Sequence, residues 1–427
     1  MTPYAFNHRA ATRRLLAFCL LVAMPFCASA VNFKLKKDKV IIDGINYQLN
    51  AKKEVAIVVK KDVPYTGDIV IPEKIDVDSV VFYVEEIGAE AFQKSSGMTS
   101  IVVPKGIVKI GVRAFDGCSS LTEIELPKSV DELPAQLFSD CSSLTEVRLP
   151  QGIRKMGAGV FKGCKSLKTI ELPKGVTSLP SNAFEGCSSL QDVSLPTGLT
   201  AIASDAFQDC TSLETITVPV GVNTIGNEAF KGCSSLTKFH FPNSVSKISS
   251  GIFENCSSLE DLHLPNSVNE IGSEAFRGCS ALDSLKLPNS VTKIGTAAFR
   301  DCSNLRRINL PNGITALSSN LFRGCTNLEN IVFPNSLKTI GSSAFEGCTN
   351  LMSITLPTSL KEIGGSAFNQ CNSLKEVNVQ SAAPPKISSS SFGKVTYREA
   401  IVNIKKGSLG NYLLSKQWAK FLDIIER

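Results

Sequence analysis

The stretch Phe115-Asp-Gly-Cys118-Ser-Ser-Leu121-Thr-Glu-Ile124-Glu-Leu126-Pro127-Lys-Ser-Val130-Asp-Glu-Leu133 decides the fold, because the same phrase begins again at Phe138. Cysteine recurs every 23 residues from Cys118 to Cys371, with no insertion or deletion. Phe stands three residues before each of these cysteines, from Phe115 to Phe368, and Leu three residues after, from Leu121 to Leu374. Proline keeps the same step from Pro104 to Pro357. These are twelve cysteine-bearing units; a degenerate thirteenth precedes them between Glu86 and Pro104, with Phe92 kept and Ser95 in place of cysteine. A fixed period of this size marks a stacked-repeat architecture.

The period has a mechanical reading. Glu123 and Glu125 alternate with Ile124 and Leu126, the pattern of a short strand with one buried side. Pro127 ends the strand, since it has no N–H for a further ladder bond. Val130 and Leu133 are expected to turn the chain, and Ala114-Phe115-x-x-Cys118 to form a short helical turn. One unit cannot bury its apolar sides alone, whereas stacked units bury them against each other. At a strand spacing of ~4.8 Å, thirteen rungs span on the order of 60 Å.

The repeat resembles the BspA-like, or treponemal-type, leucine-rich repeat. The residues that carry the resemblance are Ile110-Gly111, Ala114-Phe115, Gly117-Cys118, Leu121, Ile124, Leu126-Pro127 and their images every 23 positions, over residues 86–379. Asp43-Gly44-Ile45-Asn46-Tyr47 and Tyr65 to Pro72 resemble the family's entry segment, and the tail with Trp418 and Phe421 its exit segment. The resemblance implies a leucine-rich-repeat β-solenoid of the α/β repeat class, its curved parallel sheet on the concave side and short helical or irregular arms on the other. It also implies a secreted or cell-surface protein, since many members are such and some bind host matrix proteins.

Composition narrows the function. The 427 residues carry a net charge of +6, but Arg9, Arg13 and Arg14 lie in residues 1–30, leaving about +3 (6 minus 3) in the rest. Charges of both signs are interspersed, which excludes a strongly cationic nucleic-acid binder. The only histidines are His8, His240 and His263, so chemistry needing several of them is excluded by counting.

Residues 1–30 read as a secretory signal: Arg13 and Arg14, an apolar run from Leu15 to Phe26, then Ala28-Ser29-Ala30 as the cleavage site. Cleavage is expected after Ala30. A membrane anchor, needing about 20 apolar residues, meets polar Asn32, Lys34 and Lys36 too soon. Lipid attachment at Cys27 meets Phe26 where a small residue is expected. No later stretch is apolar enough to span a bilayer, so an exported chain without a transmembrane segment is expected. Residues 31–85 read as an N-terminal β-rich cap, with strands at 55–59 and 80–84. Residues 380–427 read as a C-terminal cap, with a turn at 382–385, a strand at 400–404 and helical spacing from Tyr412 to Ile425 around Trp418. Caps are needed because a bare end rung exposes apolar side chains and unpaired strand groups.

The cysteine column admits three readings. Buried free thiols are favoured, because cysteine is a small residue often fully buried and its slot recurs beside Phe. Disulfides between neighbouring rungs are permitted by export, although in-register side chains point alongside each other. Metal binding lacks tetrahedral convergence. No metal and no cofactor is expected.

The outward strand positions are the best place for a site. The early rungs present Glu123, Glu125, Glu146 and Glu171; the later ones Lys238, His240, Asp261, His263, Lys286 and Arg307. Such a polarised face can orient a charged partner, and an ordinary solvated sheet face is the plainer alternative. His240, His263 and Asp261 could in principle hold a divalent metal, and Asp261 with Ser284 and a histidine forms a triad on paper. Flat neighbouring strands give no oxyanion hole, and Cys233 or Cys256 should face inward, so no catalytic residue is assigned. The reading is a non-enzymatic protein binding an extracellular protein or glycan; the alternative is a structural or assembly protein of an envelope or secreted matrix. The face carries no exposed aromatic anchor, which weighs against the first.

Overall fold

The computed structural model describes residues 38–427, so the expected leader and its cleavage site lie outside the described residues. The chain is a parallel β-solenoid of about 15 turns. Two more turns form than the thirteen rungs counted from sequence, because the ladder runs on into the C-terminal segment.

Most repeats contribute two short strands, while the rungs at Thr215 and Asn330 keep only isolated bridges in place of the first. The first is the expected one: Glu123–Glu125 pairs parallel with Glu146–Arg148, placing Ile124 inside and both glutamates outside. The second was not anticipated: Glu132–Leu133 pairs with Lys155–Met156, and Ser178–Leu179 with Ala201–Ile202 and Thr224–Ile225. Leu133 thus does more than turn the chain. A two-residue strand is too short to show alternation, and only stacking supplies its partner.

The Phe-x-x-Cys segment is not helical. Left-handed residues stand two before and two after each Phe: Arg113 and Gly117 around Phe115, Gln136 and Asp140 around Phe138. That conformation favours Gly, Asn and Asp, which accounts for Gly, Asp, Asn or Gln directly before every repeat cysteine. The segment forms its own ladder: Phe115 N–H donates to Leu137 O at 3.0 Å and Phe138 N–H to Val160 O at 2.9 Å. The helices among the described residues, at Lys394–Glu399 and Leu409–Leu414, lie in the C-terminal segment.

Phenylalanine and cysteine form the spine. From Phe92 to Phe392 the rings stack rung upon rung with centroids 5.1 to 6.0 Å apart. All of the repeat cysteines are free and buried. Each thiol donates to the Phe carbonyl 26 residues earlier, as Cys118 Sγ to Phe92 O at 3.1 Å and Cys371 Sγ to Phe345 O at 3.0 Å. The same carbonyl accepts its own rung's cysteine N–H: Phe115 O takes Cys118 N–H and Cys141 Sγ, both at 3.1 Å. The slot therefore wants a small, mostly apolar side chain with one weak donor, which is what a thiol offers. The sulfur faces a carbonyl one rung back, which answers the disulfide alternative.

Both ends are closed by continuation of the same rows. At the N-terminus, Lys39–Ile42, Ile45–Asn50 and Val55–Val58 form an antiparallel run that joins Val80–Ile87. Val80–Ile87 in turn pairs parallel with Lys109–Ile110, so one strand crosses from the cap into the first repeat. Tyr65 closes the Phe column, its ring 4.9 Å from Phe92. Ser95 accepts the Tyr65 N–H at 3.0 Å; no earlier Phe carbonyl exists there, so an acceptor replaces the thiol donor. At the C-terminus, Ile401–Ile404 and Asp423–Glu426 add parallel strands to Glu376–Val379. The helix read from Tyr412 to Ile425 is a correction: it is a helix at Leu409–Leu414, one tight turn at Trp418–Lys420, then the strand Asp423–Glu426. The open edge at Ile401–Ile404 offers ladder bonds that outweigh local helical spacing. Trp418 is buried and donates Nε1–H to Pro385 O at 2.7 Å. No helix among the described residues is long and apolar enough to cross a membrane.

Candidate functional site

The longer strands present one exposed side chain on each side of a buried one, so the solenoid body carries two outward columns. The expected site residues Glu123, Glu125, Glu146, Glu171, Lys238, His240, Asp261, His263, Lys286 and Arg307 are all exposed. The ladder brings some together. Glu123 lies opposite Glu146, and Glu125 opposite Arg148. Arg148, a residue absent from the expected set, reaches Glu146 at 2.8 Å and Glu125 at 3.5 Å and offsets part of the acidic cluster. Glu171 stands apart, opposite Ser194.

In the later rungs Lys238 pairs with Asp261, and His240 with His263. Asp261 Oδ2 receives Lys238 Nζ at 3.3 Å and His240 Nε2 at 3.4 Å. Slight desolvation would raise the Asp261 carboxyl, but the Lys238 ammonium and His240 hold it below its ordinary value. The two imidazoles lie with ring centroids 6.2 Å apart and nearly perpendicular. Among the described residues no three His, Cys, Asp or Glu side chains converge as a metal site. The structure thus uses Asp261 as a counter-ion for its neighbours.

Beyond Asp261 the balance changes. Lys286 and Arg307 make no ion pair among the described residues, whereas Arg306, on the next position, reaches Asp283 at 3.4 Å. A shallow groove of about 700 Å³ lies over Ser284, Lys286, Arg307, Asn330 and Val332, and a second of about 400 Å³ over His263, Lys286 and the Pro265 and Pro288 turns. Lys286 lines both. Asn309 fills a gap in the ladder: its Oδ1 accepts Leu287 N–H at 2.8 Å and its Nδ2 donates to Leu287 O at 3.1 Å. Val332 is 78% exposed at the far lip.

One feature of the grooves escaped the reading of the sequence although it was legible there. Pro-Asn turns recur in five consecutive rungs, giving Asn243, Asn266, Asn289, Asn312 and Asn335, all exposed. The serine that follows most of them is structural: Ser267 Oγ donates to Val245 O at 2.6 Å and Ser336 Oγ to Ile314 O at 2.7 Å. The five asparagine side chains make no hydrogen bond within the described residues, and all five line the two grooves.

A family description, the BspA type leucine rich repeat region (6 copies), matches residues 85–214, 177–306 and 293–417. The chain belongs to the BspA-type leucine-rich repeat family. Solved structures agree on the fold. A leucine-rich-repeat protein from Bacteroides ovatus is 26% identical, over 91% of this chain and 99% of that one, with a TM-score of 0.70. A leucine rich cell surface protein from Faecalibacterium prausnitzii is 28% identical, over 82% and 95% of the two chains, with a TM-score of 0.59. A leucine-rich-repeat protein from Eubacterium ventriosum, 23% identical over 83% and 93%, gives a TM-score of 0.50. No curated protein matches the chain in sequence. In this BspA-type chain the repeat accounts for the Phe, Cys, Leu and Pro columns, while the residues on the outward columns differ from rung to rung.

Proposed function

We propose that this chain is an exported, non-enzymatic binding protein that recognises an extracellular protein or glycan through the exposed face of its longer strands, with adhesion to host matrix as the use. The observation that carries the reading is the segregation of charge along one rigid, in-register face: Glu123, Glu125, Glu146 and Glu171 in the early rungs, Lys286 and Arg307 without counter-ions in the later ones. Fixed potentials of opposite sign on separate stretches of one face orient an approaching partner and speed encounter. Membership of the BspA-type family and likeness to a cell-surface protein from Faecalibacterium prausnitzii support export to a surface.

The test is binding of the purified protein to an array of matrix proteins and glycans, beside a variant with Lys238, His240, Lys286 and Arg307 changed to Ser. Saturable binding lost in the variant supports recognition through the basic rungs. Binding that the variant retains moves the site elsewhere, and a silent array counts against the reading. The structural alternative has one feature in its favour: Leu414, 87% exposed, and Leu422, 71% exposed, flank the terminal strand Asp423–Glu426. Sedimentation showing concentration-dependent end-to-end growth would favour assembly.

A further inference from the structure

The grooves over the later rungs carry a narrower assignment, which rests on the binding reading above. We propose that they form a site for a linear acidic glycan, carboxylated or sulfated, lying along the solenoid axis. Lys286 and Arg307 take its anionic groups, and the amides of Asn289, Asn312 and Asn335 its hydroxyls.

Charge comes first. Elsewhere on the described surface many cations are already compensated: Lys238 and His240 by Asp261, Arg306 by Asp283, Lys247 and Lys293 by Glu270. Lys286 and Arg307 sit one rung apart on the strand face, beside His263, and share the larger groove with no carboxylate lining it. A ligand there meets uncompensated positive charge, and the acidic early rungs confine a polyanion to this half.

Hydrogen bonding comes second. The Pro-Asn turns place one unengaged amide per rung along the groove edge, each able to donate and accept. Alternating hydroxyls and anionic groups on a polymer complement a row of amides beside a row of cations.

Spacing decides between a sugar chain and a peptide. Rungs repeat every ~4.8 Å across the strands, close to the length of one pyranose residue in a linear glycan. An extended acidic peptide advances about 3.4 Å per residue and points successive side chains to opposite sides, so its carboxylates fall out of step with the rungs. The site is also a sheet face, where no free ladder edge exists to bind a peptide backbone. The absence of an exposed aromatic on this face, which weakens the case for neutral sugars, does not bear on a ligand held by charge.

Titration calorimetry of the full chain tests this with heparin-derived oligosaccharides (sulfated), polygalacturonate oligosaccharides (carboxylated), dextran (neutral) and poly-glutamate. The double variant Lys286→Ser, Arg307→Ser should bind the acidic glycan about tenfold more weakly, the effect of removing two exposed charge contacts. The charge-matched control Lys247→Ser, Lys293→Ser on the shorter strands should bind unchanged. Affinity should level off near the oligosaccharide length that spans the rungs of His263, Lys286, Asn309 and Val332. Equal weakening in the control, affinity growing with length without a plateau, or poly-glutamate binding as tightly as the glycans would each overturn the assignment. So would binding to none of the four probes. If the matrix array still binds the Lys286→Ser, Arg307→Ser protein, the broader binding function stands and only the glycan site falls.

Discussion

The thiol spine should make this protein unusually sensitive to alkali. Burial pushes the thiols from Cys141 to Cys371 above their ordinary value, with Cys187, Cys302 and Cys371 up to about 12. An acid whose pKa is raised by folding holds its proton better in the folded chain. Its contribution is complete below the pKa of the unfolded thiol, about 8.5, and is lost as pH climbs toward the folded value. Within that window each thiol costs about 1.4 kcal/mol of stability per pH unit. The column from Cys141 to Cys371 holds eleven such thiols at 23-residue spacing, so together they remove on the order of 15 kcal/mol per pH unit, as much as an entire domain has to lose. The slope, and not the size of any single shift, sets that figure.

The expected result is loss of β circular dichroism within about one to two pH units above 8.5, with thiolate absorbance rising in the same transition. Both should reverse on return to neutral pH if the protein is kept reduced. Thiolate absorbance rising near pH 8.5 while the β signal stays intact would show that the column is open to water. A chain that remains folded at equilibrium past about pH 11 would refute the linkage argument. Denatured, unreduced protein that yields few titratable thiols would sink the free-thiol assignment itself.

Three further outcomes follow from packing. Phe230→Ala removes a ring lying 5.3 Å from Phe207, 5.7 Å from Phe253 and 5.0 Å from Phe239; a denaturant titration should show a loss of about 3–5 kcal/mol, and a change below about 1 kcal/mol would mean the column is not core. Gly295→Ala would drive a methyl into the backbone of Ser273 and to 2.6 Å from the carbonyl carbon of Gly272; a cost of about 1–3 kcal/mol is expected, and an unchanged urea midpoint would show that the rungs separate easily. Ser343→Gly relieves a left-handed residue at φ 55°, in a slot where other rungs carry Gly159 and Gly251. It should stabilise by up to about 1 kcal/mol once the extra freedom of glycine in the unfolded chain is subtracted; lower stability would argue that the Ser343 side chain makes an unrecognised contact.

Much of the fold was legible because the same physical demand repeats. Phe115, Cys118, Leu121 and Pro127 each occupy a slot fixed by the rung above and below, so every later copy restates the requirement. Where the demand is met once, the sequence was less informative. Helical spacing around Trp418 gave way to the ladder edge at Ile401–Ile404, a partner that local periodicity does not display. The second strand at Glu132–Leu133 was invisible for a different reason: two residues cannot show an alternation. The candidate site was half legible. All ten outward residues chosen from alternation are exposed, because alternation alone fixes the side of a strand a residue faces. The period also reads the cross-rung neighbours, His240 opposite His263 among them, as the ladder confirms; what it does not give is which neighbours close on each other, as Arg148 does on Glu125 and Glu146, and Asp261 on both Lys238 and His240. The Pro-Asn turns recur as plainly as the strands, but they lie outside them, and alternation says nothing of which way a turn residue faces.

The sequence by itself determined the period, the spine and the side of each strand that meets solvent, since a strict 23-residue spacing admits few ways to bury Phe, Cys and Leu together. Tertiary structure alone decided which charges are cancelled and which are left over. Charge pairing depends on side chains from different rungs meeting at 3 to 4 Å, as in Lys238 with Asp261 at 3.3 Å. That register leaves Lys286 and Arg307 without an ion-pair partner among the described residues, and it is this remainder, not the repeat, on which the proposed binding rests.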